Sequence, residues 1–150
     1  MISFQLSPFD HKQLLDNTIN SHNKITTLQF LLLQQPAQQK SIQQQITLLT
    51  QEIQTSLQYL KSSQIHQIQV FLLMLKQQLF EIFDSDKVDF RSIFSSVSKD
   101  FNDNSCILRE YMRDAYFSYN EDLAQVYGEI IDSLEQNFRE ICEIVHQIDK

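Results

Sequence analysis

The sequence contains very little of the material from which turns and loops are made. Its 150 residues include one glycine, Gly128, and two prolines, Pro8 and Pro36, and tryptophan is absent. Tight hairpin turns and phosphate-binding loops depend on glycine, so β-rich folds and Gly-rich nucleotide sites lack their usual components here. The scarcity of both residue types predicts an all-α chain with few connections.

Cysteines and long apolar runs are also scarce. Cys106 and Cys142 are the only cysteines, and they have neither metal-ligand spacing nor the number needed for a disulfide framework. On one uninterrupted helix they would lie about 54 Å apart, too far to bond. The longest apolar runs, 30–33 and 70–75, are too short to span a bilayer, and the N-terminus does not resemble a signal peptide. These features predict free thiols in a soluble, cytoplasmic protein without a membrane span.

Charge and glutamine are distributed unevenly along the chain. The net charge is −7, yet residues 1–80 carry five lysines and three acids, whereas residues 81–150 carry seven basic and sixteen acidic residues. The acidic C-terminal half repels phosphate backbones, which disfavours nucleic-acid binding. Eighteen of the twenty-one glutamines fall within residues 1–78. They either reflect helix-forming composition on a solvated face or mark a face that a partner can cover at a low desolvation cost.

The segment from residue 42 to residue 82 has the clearest helical period. Its apolar side chains recur every three or four residues, with Gln64 in one slot where an apolar residue is due. The positions are Ile42, Ile46, Leu49, Ile53, Leu57, Leu60, Gln64, Ile68, Leu72, Leu75, Leu79 and Ile82. Polar residues 61–64 leave open whether this is one helix or two. Because the apolar phase carries across them, we expect one continuous or gently kinked helix over 37–83.

The remaining segments supply the partners for this helix. A first helix is predicted from a Ser7 cap, with Pro8 at its first position, to Gln34, because Pro36 stops it. Polar residues at 84–87 predict a break before a short aromatic helix. That helix places Phe90, Ile93, Phe94, Val97 and Phe101 on one side.

A loop is predicted at 102–105, followed by a second long apolar stripe from Cys106 to Val145. Ser118 and Glu121 have the form of a capping box, which leaves open whether residues 105–148 form one helix or two. The predicted fold is a single all-α domain over 1–150. It is an antiparallel bundle of two long amphipathic segments, a long N-terminal helix and the short aromatic helix.

No group of residues indicates a reaction. Glu143 and His146 have the Glu-x-x-His spacing of di-metal bundles, and Glu140 lies near them, but a second such motif is absent, so a solvated helix end is the expectation. His11 and His22, eleven residues apart, share a helix face as ordinary core or rim histidines. The acids of 84–90 lack the glycine and the closing glutamate of a calcium loop. We therefore predict no catalytic, cofactor-binding or metal-binding residues, and no enzyme activity.

The leading hypothesis for function is a non-enzymatic helical protein-protein interaction module. Such a protein would be an adaptor, a small chaperone or a subunit of a larger assembly, and it would bind a protein partner or a second copy of itself through amphipathic helices. The alternative is a ligand- or metal-binding bundle. Its core pocket would be lined by the aromatic residues of 80–138, with polar groups from His22, Glu143 or His146.

Overall fold

Four helices make up the bundle in the part of the chain that the structure describes. The computed structural model describes residues 4–83 and 90–148, and within these ranges the chain forms no β-strand. The helices are α1 (His11–Gln34), α2 (Gln39–Phe83), α3 (Phe90–Phe117) and α4 (Glu121–Ile148), with a short 3-10 turn at Pro36–Gln38. Helix α4 packs on both α2 and α3, and α1 packs on α2. The prediction of an all-α helical bundle is confirmed.

Successive helices run antiparallel, so α2 and α4 run in the same direction. Two ion pairs fix the register of α2 and α4: Lys61 Nζ lies 3.0 Å from Glu129 Oε2, and Lys76 Nζ lies 3.3 Å from Glu140 Oε2. The lower-numbered lysine meets the lower-numbered glutamate, as a parallel pair requires. The arrangement is therefore up-down-up-down, the topology expected where connections are short.

The start of α1 differs from the prediction. Asp10, not Ser7, caps the helix, because its side chain accepts a hydrogen bond of 3.0 Å from the backbone N–H of Gln13. Pro8 lies before the helix. The reason is tertiary: the main chain of Ser7 hydrogen-bonds to Gln67 and Gln64 of α2, so Ser7 is held against α2 and the helix begins after Asp10. The predicted end at Gln34, before Pro36, is confirmed.

Helix α2 is unbroken over 45 residues, as the apolar phase predicted. Lys61 and Gln64 do not interrupt it, since Lys61 reaches α4 and the Gln64 side chain turns into the core, where only 2% of it is exposed. Between Ile53 and Leu79 the buried side chains of α2 recur at intervals of three or four residues. The predicted break at 84–87 and the acid-rich stretch 84–90 lie outside the described residues, apart from the backbone of Phe90 at the start of α3.

The predicted loop at 102–105 is wrong, and so is a separate short aromatic helix. Helix α3 runs through these residues because Val97, Phe101 and Leu108 stay in helical phase on the core, which overrides the weak helix propensity of the polar residues between them. Asn104 also contributes, since its amide donates to the carbonyl of Asp100 at 2.7 Å.

The chain reverses between α3 and α4 at 118–120, so the stripe from Cys106 to Val145 belongs to two helices. Tyr119 has a φ of 59°, the left-handed conformation in which glycine usually ends a helix. The backbone N–H groups of Tyr119 and Asn120 close the last turn onto carbonyls of α3, and the Asn120 side chain caps α4. The predicted separation of about 54 Å between the cysteines assumed one uninterrupted helix, so it does not hold for two antiparallel helices. Both thiols are free, and they lie on different helices.

One hydrophobic core joins α2, α3 and α4 with residues of α1 and with the extended segment before it. Its fully buried side chains include Tyr127, Ile68, Leu75, Leu79, Leu108, Leu123, Ile130, Leu134 and Ile141. The core reaches as far as Ile25 on α1 and Ile53 on α2. Ile42, further along towards the α1–α2 turn, is buried but lies outside this cluster.

Candidate interaction surface

The α1–α2 hairpin extends well beyond the α3–α4 hairpin. The turn between α3 and α4 lies beside α1, where the Asn120 amide donates to the Thr18 hydroxyl and His22 Nε2 lies 3.7 Å from Asp122 Oδ2. Helix α1 continues for twelve residues past His22, or about 18 Å, and α2 has fourteen residues before Ile53, or about 21 Å. We call residues 23–52 the arm.

The arm exposes large apolar side chains. Phe30 is 63% exposed, Leu33 82% and Leu48 60%. Further apolar residues of the arm are half-buried and lie outside the main core: Leu28, Leu31, Leu32, Ile46 and Leu49. Isolated exposed apolar side chains are ordinary, but several on one two-helix projection form the kind of surface that a protein partner covers.

The position of Leu33 shows that the bundle surface continues along the arm. His11, His22 and Leu33 follow one another at eleven-residue intervals, and each interval turns the helix by about 20°, so Leu33 lies about 20° from His22 and about 40° from His11 around α1. The two histidines on this face meet α3 and α4: His11 Nε2 lies 3.4 Å from Asp114 Oδ2, and His22 meets Asp122. Leu33 occupies the equivalent place beyond the α3–α4 turn, where these helices have ended.

Few charges interrupt the arm. Lys24, Lys40 and Glu52 are its only charged residues, and the rest of its outer surface is mostly Gln, Ser, Thr and Asn. The glutamines from Gln34 to Gln51 are all exposed. Covering such a surface removes few ions from water, so the desolvation cost of binding is low. At the foot of the arm, the last residues of α3 and the turn add the exposed aromatic side chains of Tyr116, Phe117 and Tyr119.

A buried polar cluster joins α1 to α3 and α4, and its contacts hold these helices together. His11 Nδ1 lies 2.6 Å from the Tyr127 hydroxyl, and the His11 ring stacks on Tyr111 with 4.1 Å between centroids. Burial raises the pKa of Tyr127 well above its usual range, and the neighbouring Tyr111 and Asp114 add to this shift. Tyr127 is completely buried, so a substrate cannot reach its hydroxyl. His11 Nε2 is buried and makes no hydrogen bond within the protein, although Asp114 Oδ2 lies 3.4 Å away.

The structure separates the polar groups that the alternative hypothesis names. Glu140 pairs with Lys76, whereas Glu143 and His146 are exposed near the end of α4. His22 lies beside the start of α4, about 32 Å along that helix from Glu143. His22 therefore cannot line the same pocket as Glu143 or His146. Among residues 4–83 and 90–148, no three His, Cys, Asp or Glu side chains are close enough to hold a metal ion.

Sequence reasoning missed the role of the extended residues before α1. Phe4 and Leu6 are buried, whereas Gln5 and Ser7 between and after them are exposed. This alternation has the period of an extended strand and could have indicated a segment with one buried face. The polar groups that hold it, on α2 and α3, have no signal of their own in the sequence.

These features define an all-α bundle with a projecting two-helix arm and an extended N-terminal segment packed into its core. No protein-family model, curated protein or solved structure matches the chain. None of the helices, over the part of the chain that the structure describes, has the length and apolar character needed to cross a membrane.

Proposed function

We propose that the chain is a non-enzymatic protein-protein interaction module, and that the arm is its contact surface. The observation that supports this most directly is Leu33, which is 82% exposed on a face that contacts α3 and α4 lower down the same helix. The arm is thus a two-helix portion of a bundle without its remaining helices. A partner that supplies amphipathic helices completes it, as an adaptor, a small chaperone or an assembly subunit would require.

A second copy of the chain is the partner that fits best. Two arms packed antiparallel form a four-helix bundle, and a symmetric pair buries the same apolar residues on both sides. The arm is about 18 to 21 Å long, so the tip of one arm reaches the foot of the other. The tip carries Lys40, and the foot carries the exposed acids Glu121 and Asp122. This antiparallel packing therefore brings opposite charges together at both ends.

Analytical ultracentrifugation of the full chain over a wide concentration range tests the proposal. We expect a reversible dimer, and we expect Phe30→Gln/Leu33→Gln/Leu48→Gln to weaken its association at least tenfold. The matched control is Leu73→Gln/Met74→Gln, which removes exposed apolar side chains of α2 outside the arm. The control should dimerise like the wild type.

Two results would contradict self-association through the arm. One is a wild-type chain that stays monomeric at the highest concentration. The other is equal weakening by the arm variant and the control, since general surface hydrophobicity would then drive association. Circular dichroism at 222 nm verifies that each variant keeps its helix content.

A further inference from the structure

The N-terminal segment, residues 4–7, lies in extended form between α2 and α3. Phe4 and Leu6 point inward and are buried, with exposed fractions of 4% and 8%. The backbones of α2 and α3 do not pack closely on each other, in contrast to those of α3 and α4. The segment therefore fills a groove between two helices.

Side chains from both walls of this groove bind the segment through its main chain. On α3, Asp100 Oδ2 accepts from the N–H of Phe4 at 2.8 Å, while the Asn104 amide accepts from the N–H of Leu6 and donates to the carbonyl of Phe4, both at 3.4 Å. Main-chain groups are common to all peptides, so these contacts select an extended conformation and not a sequence.

The α2 wall continues the same pattern at Ser7. Gln67 Oε1 accepts from the N–H of Ser7 at 2.7 Å, and Gln64 Nε2 donates to its carbonyl at 3.3 Å. Gln67 Nε2 also donates to the Ser7 hydroxyl, a contact that selects a hydroxyl side chain at this position. Four polar side chains thus contact three residues of the segment, Phe4, Leu6 and Ser7, from two sides.

Sequence selectivity comes from the two apolar positions. The Phe4 ring lies 4.8 Å from the Phe71 ring of α2 and 4.7 Å from the Phe101 ring of α3, measured between centroids. Leu6 packs into the main core two residues further on. The groove therefore accommodates an aromatic residue, any exposed residue, an aliphatic residue and then a serine.

One polar atom of the groove receives no hydrogen bond from the segment. Gln64 Oε1 is buried and accepts no hydrogen bond, although Nε2 of the same amide is bound to Ser7. A buried acceptor that no donor of the chain satisfies is costly, and this one lies in the wall that contacts the segment. A ligand with an additional donor at this point would satisfy it.

We propose that the α2–α3 groove is a binding site for an extended peptide of a partner protein, with the pattern aromatic-x-aliphatic-Ser. The chain's own N-terminal segment occupies this site and competes with the partner. A short tether gives the segment an effective concentration of the order of millimolar, so a partner peptide must bind well enough to displace it. This inference is independent of the proposal for the arm, because the two surfaces share no residue.

The test uses the full chain with the segment displaced. Phe4→Asp/Leu6→Asp places two carboxylates in the apolar groove beside Asp100, and Gln5→Asp is the matched control at an exposed position. The probe is a fluorescent synthetic peptide with the sequence of residues 2–10, measured by anisotropy. We expect the double variant to bind the probe at least tenfold more tightly than the wild type or the control. We expect a probe with both apolar residues replaced by Asp not to bind.

Asn104→Leu in the same displaced background tests main-chain recognition. It keeps the groove apolar but removes the bonds to the peptide backbone, and it should weaken probe binding at least fivefold. A helical double variant without saturable probe binding would overturn the proposal. So would a wild-type dimer that this variant converts to a monomer, because the groove would then hold the segment of a second copy.

Hydrogen exchange of the wild type keeps the proposal testable if the double variant unfolds. The amides of Phe4, Leu6 and Ser7 should exchange at least tenfold faster than the amide of Leu72, because a displaceable segment opens without global unfolding. Exchange of all four amides at one common rate would show that the segment cannot separate from the core, and it would overturn the proposal.

Discussion

Replacing Gln64 with leucine should stabilise the protein. Gln64 occupies the one polar slot in the buried stripe of α2, only 2% of it is exposed, and its Oε1 has no hydrogen-bond partner. Burying a leucine side chain is favourable by about 1.5 to 3 kcal/mol. Removing the unsatisfied acceptor recovers about 1 to 3 kcal/mol.

Two costs oppose these gains. The 3.3 Å bond from Gln64 Nε2 to the Ser7 carbonyl is lost, which costs about 0.5 to 1.5 kcal/mol, although water can reach the exposed Ser7. An imperfect fit of the branched side chain costs about 1 to 3 kcal/mol. The expected net gain is about 1 to 2 kcal/mol in the free energy of unfolding. For a chain of this length, that gain corresponds to a Tm increase of about 2 to 8 °C.

Urea unfolding followed by circular dichroism at 222 nm measures this effect. The matched control is Gln69→Leu, at an exposed position of α2, where the change should stay within about 0.5 kcal/mol. A lower urea midpoint for Gln64→Leu at an unchanged m-value would refute the reasoning, as would a gain no larger than that of the control. The same variant should weaken peptide binding in the α2–α3 groove, since Gln64 contacts the segment there.

The other predictions concern Tyr119 and Tyr127. Tyr119→Gly should raise the free energy of unfolding by about 0.5 to 1 kcal/mol, because the residue is 93% exposed and has a φ of 59°, which glycine adopts more easily than tyrosine. The control, Tyr116→Gly within α3, should lower the free energy of unfolding by about 1 kcal/mol. Equal effects of the two variants in urea unfolding would contradict the prediction. Since burial raises the pKa of Tyr127 above its ordinary value of 10.0, the unfolded chain loses this proton first and stability falls as pH rises above about 10. Tyr127→Phe should lower the free energy of unfolding at pH 7 by about 1 to 3 kcal/mol, because His11 Nδ1 loses its hydrogen bond to the Tyr127 hydroxyl. The same variant should flatten the alkaline decline in stability. The comparison is made with Cys142→Ala present in both the reference protein and the Tyr127 variant, because burial also raises the pKa of the Cys142 thiol. An equally steep decline without Tyr127 would show that other groups cause it.

The helical elements with strong periodicity were predictable from the sequence. The buried positions of α2 from Ile53 to Leu79 match the expected stripe, and α1 ends before Pro36, because proline restricts the residue that precedes it. The polar run at 102–105 was misinterpreted as a loop. Local propensity favours a loop there, but Asn104 is also held by the carbonyl of Phe4, far away in sequence, a contact that no local pattern reveals.

The proposed sites were only partly predictable. The low charge and exposed glutamines of the arm follow from composition, and the eleven-residue spacing of His11 and His22 indicated a shared face. The groove between α2 and α3 was not predicted. Its four polar side chains come from positions up to forty residues apart in sequence, and only the packing of the helices brings them around the N-terminal segment.

The sequence alone determined that the chain is helical and which faces of its long helices are buried. Few glycines and prolines exclude most turns, and apolar residues spaced by three or four give each helix a defined inner side. The tertiary structure decided where the α3–α4 hairpin ends along α1 and α2. That register depends on contacts between distant residues, such as Asn120 with Thr18 and Lys61 with Glu129, which periodicity does not encode. The arm exists because this register places the α3–α4 turn beside His22, so that the last twelve residues of α1 extend beyond it.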